Sequence, residues 1–228
     1  MKALKILNQE IVSCRLCPRL VKYRAEVAKT KRRAYMDWDY WGRPVPGFGD
    51  PNAGLLLIGL APGAHGANRT GRIFTGDSSG DFLYRALYET GFASQPTSVS
   101  CDDGLTLSNA YISAAVRCAP PDNKPLPEEI RNCRPYLERE LQLLKKVRVI
   151  VALGRLAFDV YLGILRDSDK IPRRTRFLFQ HNLEHQTGPG QPILISSYHP
   201  SQQNTFTGKL TPQMFEQVFQ KANRYLEQ

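Results

Sequence analysis

The sequence has 228 residues, of which 42% are hydrophobic, and no long polar linker divides it, so we expect a single domain over residues 1–228. Its 31 Lys and Arg residues outnumber its 21 Asp and Glu residues, and the formal charge of +10 favours a polyanionic partner such as nucleic acid. No apolar run approaches the roughly 18 residues of a membrane span, which argues against a membrane protein.

The first part of the chain predicts two helices and then a loop. The apolar residues from Leu4 to Ile11 have helical spacing, and Pro18 can open a second helix that runs towards Lys31. The basic run KTKRR at 29–33 fits either a solvated helix end or a phosphate contact. Pro and Gly interrupt any period in the next stretch, YMDWDYWGRPVPGFGDPNAG, which we therefore expect to be mostly loop.

Four apolar segments predict the strands of one sheet, at 55–60, 107–116, 147–153 and 193–198. Helical periodicity predicts helices at 79–90, at 127–147, from Arg155 onwards and at 212–226. Ser78 or Ser79 is expected to cap the first of these helices. The alternation of strands and helices predicts an α/β fold, a three-layer α/β/α sandwich with a central, mostly parallel four-stranded sheet.

Four of the five cysteines form a candidate ligand set. The start, MKALKILNQEIVSC, lacks the apolar stretch of a secretory signal, so we expect a reducing compartment in which metal ligation outranks disulfides. Cys14 and Cys17 form a C-x-x-C pair, and Cys118 and Cys133 add two more thiols. Such a set suits an iron-sulfur cluster or tetrahedral zinc, while Cys133 also fits an ordinary buried residue on the apolar face of its helix. Cys101, in the polar loop SCDDG, is assigned no role.

The segment GLAPGAHGANRTGRIFTGDSSG, at 59–80, begins at the carboxyl end of the first predicted strand, where α/β folds place ligands. Its six glycines indicate that backbone approaches something closely. It has neither the G-x-x-x-x-G-K-[ST] nor the G-x-G-x-x-G pattern, so a nucleotide site has little support. We favour a pocket for a flat heterocycle, in which main-chain groups of Gly59–Gly63 contact the edge of the ring and Phe74 stacks on its face.

Three side chains each fit a structural and a catalytic interpretation. Phe74 fits the hydrophobic core as well as a stacking platform. Asp77 fits a helix N-cap as well as a carboxylate that orients water or stabilises positive charge on a sugar. His199, which follows the last predicted strand in YHPSQQNT, fits a turn hydrogen bond as well as a donor to a departing base.

Together, GLAPGAHGANRTGRIFTGDSSG, AAVRCAPPDNKPLPEEIRNCRPYL, VIVALGR and YHPSQQNTFTGKLT resemble the uracil-DNA glycosylase superfamily, and most of all its family 5 branch from thermophilic archaea and bacteria. These motifs cover nearly the whole chain in the right order. The resemblance implies a DNA repair enzyme of base excision, which flips uracil out of DNA, hydrolyses its N-glycosidic bond and leaves an abasic site. No lysine stands out as a Schiff-base nucleophile, so we expect no strand-cutting lyase step.

The resemblance also implies roles for individual residues. It implies stacking of the base on Phe74, an essential acid at Asp77, stabilisation of the leaving group by His199 and a further polar contribution from Asn123. It implies a [4Fe-4S] cluster with a structural task, with zinc as the alternative, held by Cys14, Cys17, Cys118 and Cys133.

The first motif departs from that of better-known relatives, which carry an acidic or amide residue there to position water. Here the base-binding turn has Ala61 between Gly59 and Gly63, and a methyl group cannot activate water. Asp77 or Asn123 must then position water, or the base must leave largely dissociated. Because a pocket without the uracil-reading amide is roomier, we expect hypoxanthine and xanthine as substrates alongside uracil.

The expected partner is DNA that contains deaminated bases, and we expect a monomer that acts in the cytoplasm at the nucleoid. Residues near the two loops are candidates to contact the phosphates or to fill the gap left by the flipped nucleotide: Arg69, Arg72, Ser201, Gln202, Gln203 and Lys209. Two alternatives stay open. One is a non-enzymatic iron-sulfur or zinc protein that binds nucleic acid, and the other is a nucleotide hydrolase, for which no Walker-type lysine is present.

Overall fold

A computed structural model describes residues 2–172 and 176–227. Within these residues the α-helices are α1 (Lys2–Ser13), α2 (Pro18–Thr30), α3 (Ala67–Thr70), α4 (Ser78–Glu89), α5 (Pro127–Leu143), α6 (Arg155–Asp167), α7 (Gln202–Phe206) and α8 (Pro212–Leu226). The strands are β1 (Phe48–Gly49), β2 (Leu55–Gly59), β3 (Ala110–Ala114), β4 (Val149–Leu153), β5 (Leu183–Gln186) and β6 (Ile193–Ser197).

The strands form one sheet with the order β1-β3-β2-β4-β6-β5. Strands β3, β2, β4 and β6 run parallel to one another, while β1 and β5 pair antiparallel at the two edges. The predicted α/β fold with a mostly parallel sheet is confirmed, and the four predicted strands are the four parallel ones. The predicted strand count of four is wrong, because the described residues also contain the two edge strands.

The parallel strands are buried because their residues are apolar on both faces of the sheet. Every residue of β2, β3 and β4 is buried. Side chains alternate between the faces along a strand, so Leu55 and Leu57 belong to one core while Leu56 and Ile58 belong to the other. The sheet therefore needs helices on both faces.

Each face of the sheet is covered by its own set of amphipathic helices. The first core includes Leu83 of α4 and Phe215 of α8. The second core includes Leu7 of α1, Leu137 of α5 and Phe158 of α6. Helix, sheet and helix thus form the three predicted layers, in which apolar area is withdrawn from water on both sides.

The ends of the helices differ from the predictions in a few places. Helix α4 begins at Ser78, and its N-cap is Asp77 rather than one of the two serines, because the Asp77 carboxylate accepts a hydrogen bond from the N–H of Gly80. Helix α5 ends at Leu143, four residues before the predicted end, while α8 matches its predicted range. The short helices α3 and α7 were not predicted.

Parallel pairing places the carboxyl ends of β3, β2, β4 and β6 at one edge of the sheet, where ligands bind in open α/β folds. The chain leaves that edge after Gly59, Ala114, Leu153 and Ser197. In the described segments, the structure contains no helix with the length and apolar character needed to cross a membrane.

Candidate active site

Phe74 and His199 meet above the carboxyl edge of the sheet. Their ring centroids are 5.8 Å apart, with an angle of 32° between the ring planes. Phe74 packs on the end of β2, where a Cβ atom at Gly59 would lie 2.7 Å from its Cε2 atom. The structure therefore brings the turn after β2 and the turn after β6 together, as the sequence predicted.

The backbone at Phe74 has a conformation that a residue with a side chain rarely adopts. Its φ angle is 52°, in the left-handed region, which costs about 1–3 kcal/mol unless the surroundings impose it. The surroundings do so through hydrogen bonds on both sides of the residue. Tyr84 donates its hydroxyl to the carbonyl of Ile73, and the N–H of Gly76 donates to the carbonyl of Ser98.

Asp77 is held by the first turn of α4 on one side and by two glycines on the other. Its Oδ1 atom accepts the N–H of Gly80 at 3.0 Å. Its Oδ2 atom lies against the α-carbons of Gly63 and Gly66, where a Cβ atom at Gly63 would come within 2.7 Å. Burial raises the pKa of Asp77, although the hydrogen bond from Gly80 opposes the rise. The N-cap and catalytic interpretations are therefore compatible, because only one carboxylate oxygen serves the cap.

His199 stands at the end of β6 beside Gly154, whose missing side chain leaves room for the imidazole: a Cβ atom there would be 3.3 Å from the Cβ atom of His199. Burial lowers the pKa of His199 to about 4, so the ring is neutral at pH 7. Its main-chain carbonyl accepts the side-chain amide of Asn204 at 2.8 Å, which fixes the turn. A neutral imidazole keeps one N–H that can donate a hydrogen bond.

Arg69 and Arg72 were predicted to contact phosphate, but both are buried, at 3% and 4% exposure. Arg72 pairs with Asp103 at 2.7 Å, and this contact helps to lower the pKa of Asp103 to about 2 although burial opposes it. Arg69 donates to two carbonyl groups of the glycine-rich turn. A phosphate cannot reach side chains with these partners, so we assign both arginines to the support of the turn.

The other predicted polar residues belong to the segments that follow β3 and β6. Asn123 is exposed, at the end of a short 3-10 helix (Pro121–Asn123) after β3, and no side-chain hydrogen bond engages it in the described part of the chain. Ser201 caps α7 by accepting the N–H of Asn204. Gln202, Gln203 and Lys209 are exposed, as is Phe206, at 81%.

Three of the four candidate ligand cysteines form a small buried cluster with Leu20 and Val116: Cys17, Cys118 and Cys133. Burial raises the pKa of Cys118 to about 12 and that of Cys133 to about 11, and both thiols also experience the charge of Cys14. Ala61, in the turn after β2, packs against this cluster. Among the described residues, no three His, Cys, Asp or Glu side chains are grouped so that they could hold a metal ion.

A surface cleft of about 590 Å³ lies elsewhere, between α5 and α6, and is lined by residues such as Arg134, Tyr161 and Lys170. None of the predicted site residues lines it. At the sheet edge, Phe74 lies against His199, and Asp77 follows three residues after Phe74 at the start of α4. Such a set suits cleavage of a bond between a heterocycle and a sugar, since it serves both charges that develop.

A family model described as the uracil DNA glycosylase superfamily matches residues 46–224. The chain belongs to this superfamily. A Type-5 uracil-DNA glycosylase of Thermus thermophilus is 54% identical over 216 residues, which are 95% of each chain. A Type-5 uracil-DNA glycosylase of Mycobacterium tuberculosis is 50% identical over 219 residues, 96% of this chain and 80% of that protein. A Type-4 uracil-DNA glycosylase of Archaeoglobus fulgidus is 32% identical over 158 residues, 69% of this chain and 62% of that protein.

For this member of the uracil DNA glycosylase superfamily, sequence reasoning missed several residues that shape the site. Gly66 and Gly154 leave room for Asp77 and His199, and the signal for Gly66 was the density of glycines between 59 and 80. Arg24 donates to the Sγ atom of Cys118 at 2.7 Å, which its place in an amphipathic helix did not indicate. Phe206 lies in a segment whose sequence has no periodic pattern, so no signal in the sequence pointed to it.

Proposed function

We propose that this chain is a monofunctional uracil-DNA glycosylase, a hydrolase that flips uracil out of DNA and cleaves its N-glycosidic bond. The observation that carries the proposal is the contact of Phe74 with His199 at the carboxyl edge of the sheet, with Asp77 three residues after Phe74 at the start of α4. The Type-5 uracil-DNA glycosylases that cover most of the chain supply the substrate class. The product is an abasic site in DNA.

Asp77 and His199 would stabilise opposite charges that develop in the reaction. Breaking the glycosidic bond leaves positive charge on the deoxyribose and negative charge on the base, so fixed groups aimed at each lower the barrier. The carboxylate of Asp77 would serve the sugar and its attacking water, while the neutral imidazole of His199 would donate a hydrogen bond to the departing base. Phe74 would stack on the flipped base.

We also propose that hypoxanthine and xanthine are substrates. Ala61 offers the base no side-chain hydrogen bond, so recognition would depend on main-chain groups from Gly59 to Gly63 and on shape. Flipping costs less for a mispaired base than for a paired one, so a G·U or G·hypoxanthine mispair favours the reaction. Asn123 stays a candidate for positioning water, because it follows β3 at the same edge of the sheet.

The cysteine set fits an anionic metal group, because a buried cation beside it has no carboxylate partner. Arg24 is 5% exposed and donates to the Sγ atom of Cys118 and to the carbonyl of Cys14. In the segments that the structure describes, no Asp or Glu pairs with it. A buried cation needs a counter-charge, and thiolates bound to a metal group supply one.

We propose that this group is a [4Fe-4S] cluster, held by Cys14, Cys17, Cys118 and Cys133, with zinc as the alternative. Four thiolates are a complete ligand set for either group. When bound, the cluster would supply a crosslink between the start of α2, the turn after β3 and α5.

We assign DNA binding to the surface beyond His199, formed by Ser201, Gln202, Gln203, Phe206 and Lys209. Lys209 lies with its Nζ atom 4.8 Å from the centroid of the Tyr198 ring and remains exposed for phosphate. The exposed side chains of Gln202 and Gln203 would fill the gap in the base stack. We propose a single domain that acts as a monomer at the nucleoid, and the basic run at 29–33 as an additional phosphate contact.

The experiment that tests the function is base release. Purified protein is incubated with duplexes that carry one uracil, hypoxanthine or xanthine, and abasic sites are then cleaved with alkali. We expect strand breaks at the modified position only after alkali, because a monofunctional enzyme does not cut the strand. DNA binding without base release would support a non-enzymatic nucleic-acid-binding protein instead.

A further inference from the structure

Arg69 is a buried cation that contacts two aromatic rings, whose planes are 80° apart. It belongs to α3, and its guanidinium carbon is 3.9 Å from the ring centroid of Tyr35 and 4.0 Å from that of Trp38. Such cation–π contacts are worth about 2 kcal/mol or more when the cation is desolvated, as it is here at 3% exposure. The two rings therefore help to hold the guanidinium group in place.

The same guanidinium ties together the two segments that surround Asp77. Its Nε atom donates to the carbonyl of His65 at 2.8 Å, and its Nη2 atom donates to the carbonyl of Gly76 at 2.7 Å. His65 immediately precedes Gly66, and Gly76 immediately precedes Asp77. The segments that carry Asp77 and Gly66 are thus both hydrogen-bonded to the side chain of Arg69.

No carboxylate forms a salt bridge with Arg69 in the described part of the chain. Its positive charge therefore remains available to interact with Asp77. Burial and the charge of Asp81 raise the pKa of Asp77, while Arg69 lowers it. The charged groups that face Asp77 are therefore Arg69 from α3 and Asp81 from its own helix, with neutral His199 beyond Phe74. The Nη1 atom of Arg69 is buried without a hydrogen-bond partner. Burial of this cation therefore costs free energy, which indicates that the residue has a role.

We infer that Arg69, in contact with Tyr35 and Trp38, is a positioning residue that holds Asp77 in its reactive place against Gly63 and Gly66. The inference rests on the proposed base-release function and extends it to residues that contact neither base nor sugar. It also explains why an arginine is needed. A lysine has one donor centre, so it cannot donate to both carbonyls from two separate nitrogen atoms while it contacts the two rings.

The test measures single-turnover release of uracil against pH for Arg69→Met and Arg69→Lys. Protonation of Asp77 abolishes activity, so the rate falls as pH decreases through the pKa of Asp77. Without the charge of Arg69 that pKa rises, and the acid limb of Arg69→Met moves to higher pH. Arg69→Lys keeps the charge, so its acid limb moves less. Both variants should be slower by about 10- to 100-fold, because misplacement of a reacting group costs that much.

The matched control is Arg85→Met, which removes an exposed cation from α4 without touching the glycine-rich turn. It should keep the wild-type rate and acid limb. DNA affinity of all three variants, measured by fluorescence anisotropy, should stay within about twofold of wild type, because the inference concerns the carboxylate rather than DNA binding.

A second variant, Trp38→Leu, protects the test against a variant of Arg69 that does not fold. It removes one of the two ring contacts while the arginine stays in place, and it should lower the rate with DNA affinity unchanged. Wild-type rates and acid limbs in the folded Arg69→Met protein, or a wild-type rate in Trp38→Leu if Arg69→Met does not fold, would overturn the inference alone. A wild-type chain that releases no base would overturn the proposed function, and the inference with it.

Discussion

The Oδ2 atom of Asp77 lies directly against the α-carbon of Gly66, in space that the Cβ atom of any other residue would occupy. Gly63 bounds the same oxygen from a second direction. The carboxylate is thus enclosed by glycine backbone, by the first turn of α4 and by the carbonyls that Arg69 holds. Its position is set by the absence of side chains as much as by hydrogen bonds.

We predict that Gly66→Ala lowers single-turnover base release by about 100-fold, because the added methyl group displaces the carboxylate by about an ångström. The φ angle of Gly66 is −96°, outside the left-handed region. The rate is measured with enzyme in excess over uracil-containing DNA.

The matched control for this variant is Gly163→Ala on α6, where the nearest atom to an added Cβ would be 3.9 Å away. It should keep full activity and stabilise the helix by about 0.5–1 kcal/mol. A Gly66→Ala protein as active as Gly163→Ala would show that Asp77 does not act from its present place.

Asp77→Asn and His199→Ala should each lose most glycosylase activity and retain DNA binding. The amide cannot stabilise positive charge on the sugar, and the methyl group cannot donate to the departing base. Single-turnover rates measure the loss of glycosylase activity, and fluorescence anisotropy measures DNA binding. Near wild-type rates in both variants would remove the roles assigned to these residues.

The pKa of His199 makes the folded chain sensitive to acid. Its value of about 4 lies below the usual 6.5, so protonation favours the unfolded chain, and stability is lost as pH falls from about 6.5 towards 4. Burial also lowers the pKa values of His65, His181 and His185, which contribute in the same direction. We expect His199→Ala to lose less stability than wild type between pH 7 and pH 5 in urea titrations. Equal losses would contradict a buried neutral imidazole at this position.

Cys118→Ser should bleach a brown chromophore and reduce thermal stability, because it removes one ligand of the proposed cluster. Cys101→Ser is the matched control, since Cys101 is exposed and apart from the buried cysteines, and it should keep the colour. Absorbance, iron content and thermal melts are measured together. Colourless wild-type protein with stoichiometric zinc would reject the iron-sulfur cluster.

Lys209→Ala should weaken binding of uracil-containing DNA and reduce the slope of log affinity against log salt by about one, as loss of one phosphate contact does. Lys170→Ala is the control, because Lys170 is exposed in the cleft between α5 and α6, away from the proposed DNA surface. Binding is measured by anisotropy at several salt concentrations. An unchanged slope in Lys209→Ala would remove Lys209 from the DNA surface.

The parallel core of the fold could be predicted because its strands carry continuous apolar runs that no loop would tolerate. The two edge strands could not be predicted, and the physical reason differs between them. Strand β1 has two residues in a stretch rich in Pro and Gly, so no pattern has room to appear. Strand β5 has the sequence Leu-Glu-His-Gln and is only half-buried, because a strand at the edge of a sheet has a single neighbouring strand.

The residues at the candidate site were predictable where they follow strands of the sheet, since parallel strands bring their carboxyl ends together. That rule predicted the contact of the turns that carry Phe74 and His199, while the roles of Phe74, Asp77 and His199 stay predictions. It could not reveal that Arg69 and Arg72 turn inwards, because an arginine in a glycine-rich turn has the same sequence whether it binds phosphate or backbone carbonyls. Burial is decided by residues distant in the chain, such as Trp38 and Asp103.

Ala61 stands in the wall between the cysteine cluster and the turn that leads from β2. A longer side chain at this position would change the packing against this cluster as well as the turn itself. With the proposed iron-sulfur cluster in place, a water-activating residue introduced here would therefore act on both sites. The proposed preference for bases and the proposed retention of iron would then be adjustable only together at this point in the chain.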